Sequence, residues 1–315
     1  MSAMSHAVDP AMTRPVTPVA ANSDGSGLAV RTLALPGAHG ELAARLYSIP
    51  AAQAADGLIV FFHQGGFVGG CLEESDKFVR ALALRTNLPV LAAAYTLAGQ
   101  QPFPAAVEDS HAVLCWAAKN HAALGWNGTR LITAGIEAGG NLAAVSALVA
   151  RDRGGPALAA QILIMPMLDP GLTSCSMRSL TAGPGVAGVA EACAAGYRGY
   201  LPRAADRTHP YASPLQSSRL KGLPAALILS AEDDPLRDEA EQYGGKLIAA
   251  GIRTLVRRLP AVPLQDGKAR CECARDDDAL NEIAAFIAGL ETRHGPSTRN
   301  SIDTEAGNPK RNSGR

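Results

Sequence analysis

The stretch Leu131-Ile132-Thr133-Ala134-Gly135-Ile136-Glu137-Ala138-Gly139 leads from an apolar run into a turn flanked by glycines. The run Leu131–Ala134 has the length and composition of a buried strand. Glycines on both sides of a strand-to-helix turn let the central side chain stand clear of the backbone. The stretch therefore predicts a strand, a strained turn and a helix, with the carboxylate of Glu137 displayed at the turn.

Other short apolar runs alternate with helical patterns along the chain. The runs predicted as strands are Leu58–Phe62, Val90–Tyr95, Leu131–Ala134, Ile162–Met165, Ala225–Ser230 and Thr254–Arg258. These runs are apolar throughout, whereas a strand with one face in water alternates apolar and polar residues. The pattern predicts a doubly wound α/β fold, in which helices cover both faces of a mostly parallel sheet.

Two helices are predicted from the spacing of apolar residues in the second half of the chain. Apolar residues recur at spacings of three and four between Leu236 and Ala250, which is the pattern of one buried helical face. A last helix follows Asp276-Asp277-Asp278, whose negative charges favour a helix N-terminus. Both helices fit the alternation of strands and helices that a doubly wound fold requires.

The domain boundaries follow from changes in composition. Residues 1–26 are rich in Ala, Ser and Pro and are predicted to be a flexible N-terminal segment, while the polar residues 292–315 are predicted to be a disordered tail. Residues 27–291 form the predicted domain. Within it, residues 171–215 interrupt the alternation with a Gly- and Pro-rich stretch and a helix predicted at 187–200. We expect this insertion to form a small helical cap over the carboxyl edge of the sheet.

Composition excludes several classes of protein. The 315 residues are 47% hydrophobic and 18% charged, and 29 basic residues balance 29 acidic ones. A chain of this kind folds into a large core, and its zero net charge favours neither nucleic acid nor an anionic membrane as a partner. No apolar stretch reaches the ~18 residues that a membrane span needs, and residues 1–21 lack the layout of a signal peptide. We expect a cytoplasmic protein with a small apolar ligand.

The six cysteines do not indicate a disulfide framework or a metal site. In a chain of this length they are expected to be free thiols. Cys271-Glu272-Cys273 supplies two thiolates, whereas a structural zinc site takes four ligands. The sequence therefore predicts no metal and no cofactor.

A second motif follows the strand that ends at Phe62. His63-Gln64-Gly65-Gly66-Phe67 resembles the His-Gly-Gly-Gly loop of lipases and esterases, with two glycines kept at its centre. In that motif the backbone N–H groups form an oxyanion hole, which stabilises the negative charge that develops during acyl transfer. The corresponding donors here are Gly65, Gly66 and Ala138.

Six segments of the chain resemble segments of the hormone-sensitive-lipase-like group of carboxylesterases, also called the α/β-hydrolase fold-3 family, and they occur in the same order. Besides the loop and the turn, the similar segments are Tyr95-Thr96-Leu97-Ala98 with Pro102-Phe103-Pro104-Ala105-Ala106, Gly139-Gly140-Asn141-Leu142-Ala143, His209-Pro210-Tyr211-Ala212-Ser213-Pro214-Leu215 and Asp234-Pro235-Leu236-Arg237-Asp238-Glu239. The resemblance implies an α/β-hydrolase fold with a cap, and it places Asp234 at the position of the acid in the catalytic triad.

The chain departs from this family at the residues that carry the chemistry. Glu137 replaces the nucleophilic serine, and Ile136 replaces the aspartate that usually precedes it. The triad histidine is expected in the loop before the last helix, near Leu264, but residues 259–280 contain no histidine. Thr96 and Gly99-Gln100 also replace the arginine and the Pro-Glu pair of the family pattern.

Two hypotheses follow for the function. In the first, the protein is a catalytically impaired relative of the esterases that binds a small apolar or ester-like molecule, an amine-bearing molecule or a protein partner through the old pocket. Glu137 then stays ionised and fills the oxyanion hole. In the second, it is an active ester hydrolase with a non-standard set of catalytic groups. Phe67, Phe103, Tyr197 and Tyr200 either line the pocket or pack the cap against the core.

Overall fold

The structure is a computed structural model, and it describes residues 19–23, 27–51, 53–180, 187–261 and 277–291. Nine strands within these residues form one sheet in the order β1-β2-β3-β5-β4-β6-β7-β8-β9. The strands are β1 (Val19–Ser23), β2 (Ala29–Pro36), β3 (Glu41–Ser48), β4 (Ala55–Phe62), β5 (Val90–Ala93), β6 (Trp126–Ile136), β7 (Leu158–Ile164), β8 (Ala225–Ala231) and β9 (Thr254–Leu259).

The sheet is parallel from β5 through β9 and antiparallel at its other end, where β1, β2 and β3 pair with one another and β3 pairs with β5. Strand β4 lies between β5 and β6, so the chain leaves β4 towards one side of the sheet and then returns to the other side. In doubly wound sheets ligands bind at such a switch point, outside the carboxyl ends of the strands. The fold therefore predicts a ligand site at the loops that follow β4 and β6.

Helices cover both faces of the sheet. They are α1 (Leu72–Thr86), α2 (Ala105–Lys119), α3 (Ala138–Arg153), α4 (Cys175–Leu180), α5 (Ala187–Tyr200), α6 (Arg237–Ala249) and α7 (Asp277–Glu291). Residues of α1 and α7 share one hydrophobic core with the sheet, and residues of α2, α3, α5 and α6 share the other. In the described part of the chain, no helix has the length and apolarity needed to cross a membrane.

Strand β4 shows why the sheet is buried on both faces. Leu58, Val60 and Phe62 belong to one core, while the intervening Ile59 and Phe61 belong to the other, and all five are fully buried. Side chains alternate across a strand, so an apolar residue at every position needs cover on both faces. This confirms the predicted doubly wound α/β fold with a mostly parallel sheet.

All six predicted strands are present, although β6 begins at Trp126 rather than Leu131. The three N-terminal strands were not predicted. Strand β1 lies inside residues 1–26, so the interpretation of that whole segment as flexible is wrong at residues 19–23. Buried and exposed residues largely alternate in β2 and β3, a period-2 pattern that lacks the continuous apolar runs of the other strands.

The segment between β7 and β8 contains α4 and α5, and it is attached to the start of α6. Ser176 donates from its backbone N–H to Asp238 Oδ2 at 2.7 Å, and its hydroxyl donates to the carbonyl oxygen of Pro235 at 2.8 Å. The Leu168 N–H donates to Glu239 Oε1 at 2.7 Å. The helix predicted at 187–200 is present with these bounds. The inserted segment is thus attached to the turn that carries Asp234.

Glu239 is the buried carboxyl of this attachment. Its side chain is 2% exposed, and burial raises its pKa to about 8, while the hydrogen bond from Leu168 acts in the opposite direction. The nearby Asp169 and Asp234 contribute to raising this pKa. Glu239 is therefore largely protonated at neutral pH in the folded protein, whereas it is ionised in the unfolded chain.

We predict that this proton makes stability depend on pH. The pKa of Glu239 is higher in the folded state, so its favourable contribution is complete below the unfolded pKa of 4.5 and is lost as the pH rises towards about 8. The slope is at most about 1.4 kcal/mol per pH unit. Urea unfolding between pH 5 and pH 8 should show that Glu239→Gln loses this part of the slope. The exposed Glu191→Gln is the control, and an unchanged slope in Glu239→Gln would contradict the assignment.

Candidate active site

The register of β4 and β6 brings the two motifs of the site together. Phe62, the last residue of β4, pairs with Gly135 in β6, although 73 positions separate them in the sequence. The loop that begins at His63 and the turn at Glu137 therefore emerge side by side from the carboxyl edge of the sheet. The backbone pairing of β4 with β6 thus brings the two motifs of the candidate site together without the help of side-chain contacts.

The turn at Glu137 has the strained backbone that the sequence predicts. Glu137 has φ 56° and ψ −112°, between the end of β6 at Ile136 and the start of α3 at Ala138. A Cβ on Gly139 would lie 2.0 Å from the carbonyl oxygen of Phe62, and a Cβ on Gly135 would lie 2.2 Å from Gly139. A backbone conformation like that of Glu137 costs of order 1–3 kcal/mol of folding free energy and persists where the surrounding structure enforces it. The glycines are therefore needed for the close approach of α3 to β4.

The carboxylate of Glu137 points towards the loop that follows β4. The backbone N–H of Gly65 donates a hydrogen bond of 3.1 Å to Glu137 Oε2. The carboxylate also lies at the N-terminus of α3, where the helix dipole favours negative charge. Of the three predicted oxyanion-hole donors, Gly65 thus contacts Glu137, Gly66 is the next residue of the loop, and Ala138 begins α3.

The loop is held by contacts on both sides. Gln64, which stands where the family motif has a glycine, is buried, and its Oε1 accepts a hydrogen bond from the Ser75 hydroxyl at 3.0 Å. The Tyr95 hydroxyl donates to the carbonyl oxygen of His63 at 3.1 Å, and the two rings stack with centroids 4.3 Å apart. Gly65 has φ 127°, a conformation that strongly favours glycine.

Asp234 follows β8 and is 4% exposed. Its Oδ1 accepts a hydrogen bond of 3.1 Å from the backbone N–H of Leu236. Helix α6 begins at Arg237, so Asp234 lies before the helix and is not its N-cap. The carboxylate instead stabilises the turn that precedes the helix.

The two histidines nearest in sequence to the motifs hold loop backbone. His63 Nδ1 lies 2.7 Å from the carbonyl oxygen of Gln64, and burial lowers the pKa of His63, which keeps its ring neutral. His209 Nδ1 accepts a hydrogen bond of 3.1 Å from the backbone N–H of Tyr211. Both arrangements are those of loop-supporting side chains. The expected position of the triad histidine, near Leu264, lies outside the described residues.

Aromatic rings join α5 to the loop after β4. Phe67 and Tyr200 stack with centroids 3.9 Å apart, and Phe103 meets Tyr200 edge to face at 5.8 Å. Tyr197 lies 5.9 Å from Phe67. All four rings are buried, so they pack the inserted segment against the core.

Two buried polar residues beside the site were not recognised in the sequence. Asp109 accepts backbone hydrogen bonds from Ala38 at 2.8 Å and Thr96 at 2.9 Å. The Asn141 side chain donates to the carbonyl oxygens of Met167 at 2.7 Å and Ala212 at 3.1 Å. Asn141 lies in the first turn of α3 and so ties the turn at Glu137 to the segments on either side of it. The Gly-Gly-Asn motif was its signal, but its partners are distant in sequence.

Comparison with known proteins agrees with this geometry. The model of a family described as alpha/beta hydrolase fold matches residues 59–264. The chain belongs to this family. It is 35% identical to an arylesterase of Saccharolobus solfataricus over 219 residues, which is 70% of this chain and 71% of that protein. It is 34% identical to the carboxylesterase NlhH of Mycobacterium tuberculosis, over 70% of each chain.

The solved structure of an esterase from Pyrobaculum calidifontis has the same fold. It superposes with a TM-score of 0.75 at 36% identity and covers 83% of this chain and 85% of its own. This α/β-hydrolase is thus similar to an arylesterase, a carboxylesterase and an esterase, as the sequence motifs indicate. The strained turn and the glycine loop are present in the fold, and Glu137 lies at the turn where the resemblance implies the nucleophile.

We predict that the close approach of α3 to β4 makes Gly139 indispensable. Gly139→Ala places a methyl group against the Phe62 carbonyl and should lower the free energy of unfolding by more than ~2 kcal/mol or prevent folding. Gly245→Ala is the matched control, because a Cβ there meets nothing within 4 Å. In helix α6 this control should stabilise by about 0.5–1 kcal/mol. Urea unfolding compares the two variants, and a tolerated Gly139→Ala would contradict the packing argument.

Proposed function

We propose that this α/β-hydrolase is a catalytically impaired relative of the esterases that binds a small apolar or ester-like molecule in the old active-site pocket. The observation that carries the proposal is the 3.1 Å hydrogen bond from Gly65 N–H to the Glu137 carboxylate. In an esterase this backbone N–H is kept for the oxygen of the acyl group, as the resemblance implies. An anion that already occupies the donor opposes the seating of an ester carbonyl.

The chemistry of the other groups supports the same proposal. Ester hydrolysis on this fold needs an alcohol nucleophile, a base with a pKa near 7 and a carboxylate that orients the base. The elbow supplies a carboxylate instead of an alcohol, and residues 259–280 contain no histidine. Asp234 accepts the Leu236 N–H, and an ordinary aspartate is a weak base at neutral pH. Neither Glu137 nor Asp234 therefore replaces the histidine that donates a proton to the leaving group.

A carboxylate nucleophile does not resolve this difficulty. Attack by Glu137 on an alkyl carbon would break the bond to a leaving group, which departs with the electron pair, and give an ester on the enzyme, whose hydrolysis needs a water molecule activated by a base. The histidine that performs this step in related hydrolases is the residue that the loop lacks. On this chain the covalent ester accumulates instead of turning over.

The second candidate is an active carboxylic ester hydrolase with a non-standard set of catalytic groups. The specific observation in its favour is the sequence similarity of the chain to relatives that are named as an arylesterase and a carboxylesterase. Taken alone, these names favour the active enzyme over the impaired one. We base our choice on the residues at the elbow and in the histidine loop, where this sequence departs from the family pattern.

A cytoplasmic location is part of the proposal.

The direct test is hydrolysis of short-chain p-nitrophenyl esters by the purified protein. We expect the wild type to be no faster than Glu137→Ala, and neither to show a burst of p-nitrophenol, because no alcohol nucleophile stands at the elbow. A wild-type rate at least tenfold above that of Glu137→Ala would establish the active hydrolase instead.

Restoring the missing groups gives a complementary prediction. The double variant Glu137→Ser with Leu264→His should gain esterase activity over the wild type, since the oxyanion loop and Asp234 are kept. Each single variant should gain far less, because members of a triad act as a unit. Folding of each variant is checked by circular dichroism. A well-folded double variant without activity would show that more than these two groups has been lost.

A further inference from the structure

A polar groove lies where the end of α3 meets the end of α6. Its larger part is a cavity of about 1010 Å³, lined by the last turns of both helices and by residues 218–221. A smaller cavity of about 250 Å³ shares Arg219 with it and extends to Ser217 and His209. Neither cavity is lined by Glu137 or by the oxyanion-hole glycines. The groove is therefore separate from the elbow.

Arg151 holds the backbone of this groove. Its guanidinium donates to the carbonyl oxygens of Arg219 at 2.6 Å and of Lys221 at 3.1 Å, and it pairs with Asp152 at 2.8 Å. The Tyr211 hydroxyl donates to the same carboxylate at 2.9 Å. Burial acts against the ionised form of Asp152, but the hydrogen bonds that it accepts and the charges of Arg151 and Arg219 lower its pKa. The charges of Arg151 and Asp152 thus cancel each other.

Arg219 and Lys221 carry the two positive charges that remain. Both residues line the larger cavity and are exposed. Neither forms an ion pair or donates a side-chain hydrogen bond within the described part of the chain. The C-terminus of α6 does not replace a counter-ion, because a helix end is equivalent to about half a negative charge. Its last carbonyl oxygens also accept hydrogen bonds from the N–H groups of residues 250–252. The groove therefore has a surplus of positive charge.

Two uncharged groups in the smaller cavity lack a hydrogen-bond partner. Ser217 is 2% exposed, and its hydroxyl has no partner among the described residues. His209 Nδ1 accepts the Tyr211 N–H at 3.1 Å, so the ring proton lies on Nε2. No residue that the structure describes accepts this Nε2–H. Most buried polar groups in native proteins have a partner, so the Ser217 hydroxyl indicates a position that faces a ligand.

We propose that this groove binds a phosphate group, either as inorganic phosphate or on a small phosphate ester. A phosphate monoester has a charge of about −1.5 to −2 at pH 7 and three acceptor oxygens. Arg219 and Lys221 match that charge, and a guanidinium group donates pairs of hydrogen bonds to phosphate oxygens. Ser217 and His209 supply neutral donors in the smaller cavity, which Arg219 also lines. A monocarboxylate neutralises only one of the two cations. The site is independent of Glu137 and extends beyond the proposed function.

Titration followed by nuclear magnetic resonance tests this site, because the method detects weak binding and also locates it. The probes are inorganic phosphate, phenyl phosphate and benzoate, each added to the full chain at pH 8 and constant ionic strength. Both phosphates should cause saturable shifts of the amide resonances of residues 217–221. Benzoate has the same phenyl ring but a single charge, so its Kd should be at least about threefold higher than that of phenyl phosphate. A Kd for phenyl phosphate below that of inorganic phosphate identifies an ester as the ligand, and equal values identify free phosphate.

Removal of either cation should weaken phosphate binding. Arg219→Gln and Lys221→Gln should each raise the Kd of inorganic phosphate about threefold, and the double variant about tenfold, as expected for exposed charge pairs. Lys77→Gln is the matched control, because it removes an exposed lysine of α1 and changes the net charge by the same amount. Its Kd should equal that of the wild type. Circular dichroism checks that the exposed substitutions leave the fold unchanged.

Several results would overturn the phosphate site. Amide shifts centred on Gly65 would place the anion at the elbow, and unshifted resonances at residues 217–221 would show that the groove binds no phosphate. Equal Kd values for benzoate and phenyl phosphate would remove the preference for a phosphate group. A loss of affinity in Lys77→Gln as large as that in Lys221→Gln would show an effect of net charge alone. None of these results bears on the impaired hydrolase, which the hydrolysis of p-nitrophenyl esters tests separately.

Discussion

The close packing of α3 against the end of β4 is the constraint on which the site depends. Gly139 approaches the Phe62 carbonyl so closely that no side chain fits between them, and this approach forces Glu137 into a left-handed backbone conformation. The parallel pairing of β4 with β6 sets the distance between the two motifs. Because the backbone of the sheet and helix fixes this geometry, it does not depend on which side chain stands at the elbow.

On our proposal, that independence allows the fold to keep the strained turn and the glycine loop of an esterase with a carboxylate at the turn. A serine hydroxyl at the elbow is a reagent only when a base removes its proton. A carboxylate at the same place accepts hydrogen bonds, and the Gly65 N–H donates one to it. The same backbone that stabilises a transient oxyanion is thus suited to hold a permanent one.

The sequence predicts the sheet interior well and its edge poorly. Continuous apolar runs such as Leu58–Phe62 are unambiguous because burial on both faces leaves no polar position, whereas arginines and a threonine interrupt the apolar residues of β2 and β3. The positions of Glu137 and Gly65 follow from motifs of fixed geometry. The burial of Glu239 does not follow from a motif, because it depends on the segment after β7, in which the Leu168 N–H donates to its carboxyl group. Contacts between segments distant in sequence are decided by packing, which local patterns do not encode.

The central claim is that the Glu137 carboxylate occupies the Gly65 donor, and nuclear magnetic resonance tests it most directly. The Gly65 amide proton is followed through an acid titration in the wild type and in Glu137→Gln. We predict a downfield resonance in the wild type that moves upfield as Glu137 gains its proton, and a Gly65 resonance in Glu137→Gln that does not follow that titration. A Gly65 resonance that is the same in both proteins and insensitive to pH would contradict the account.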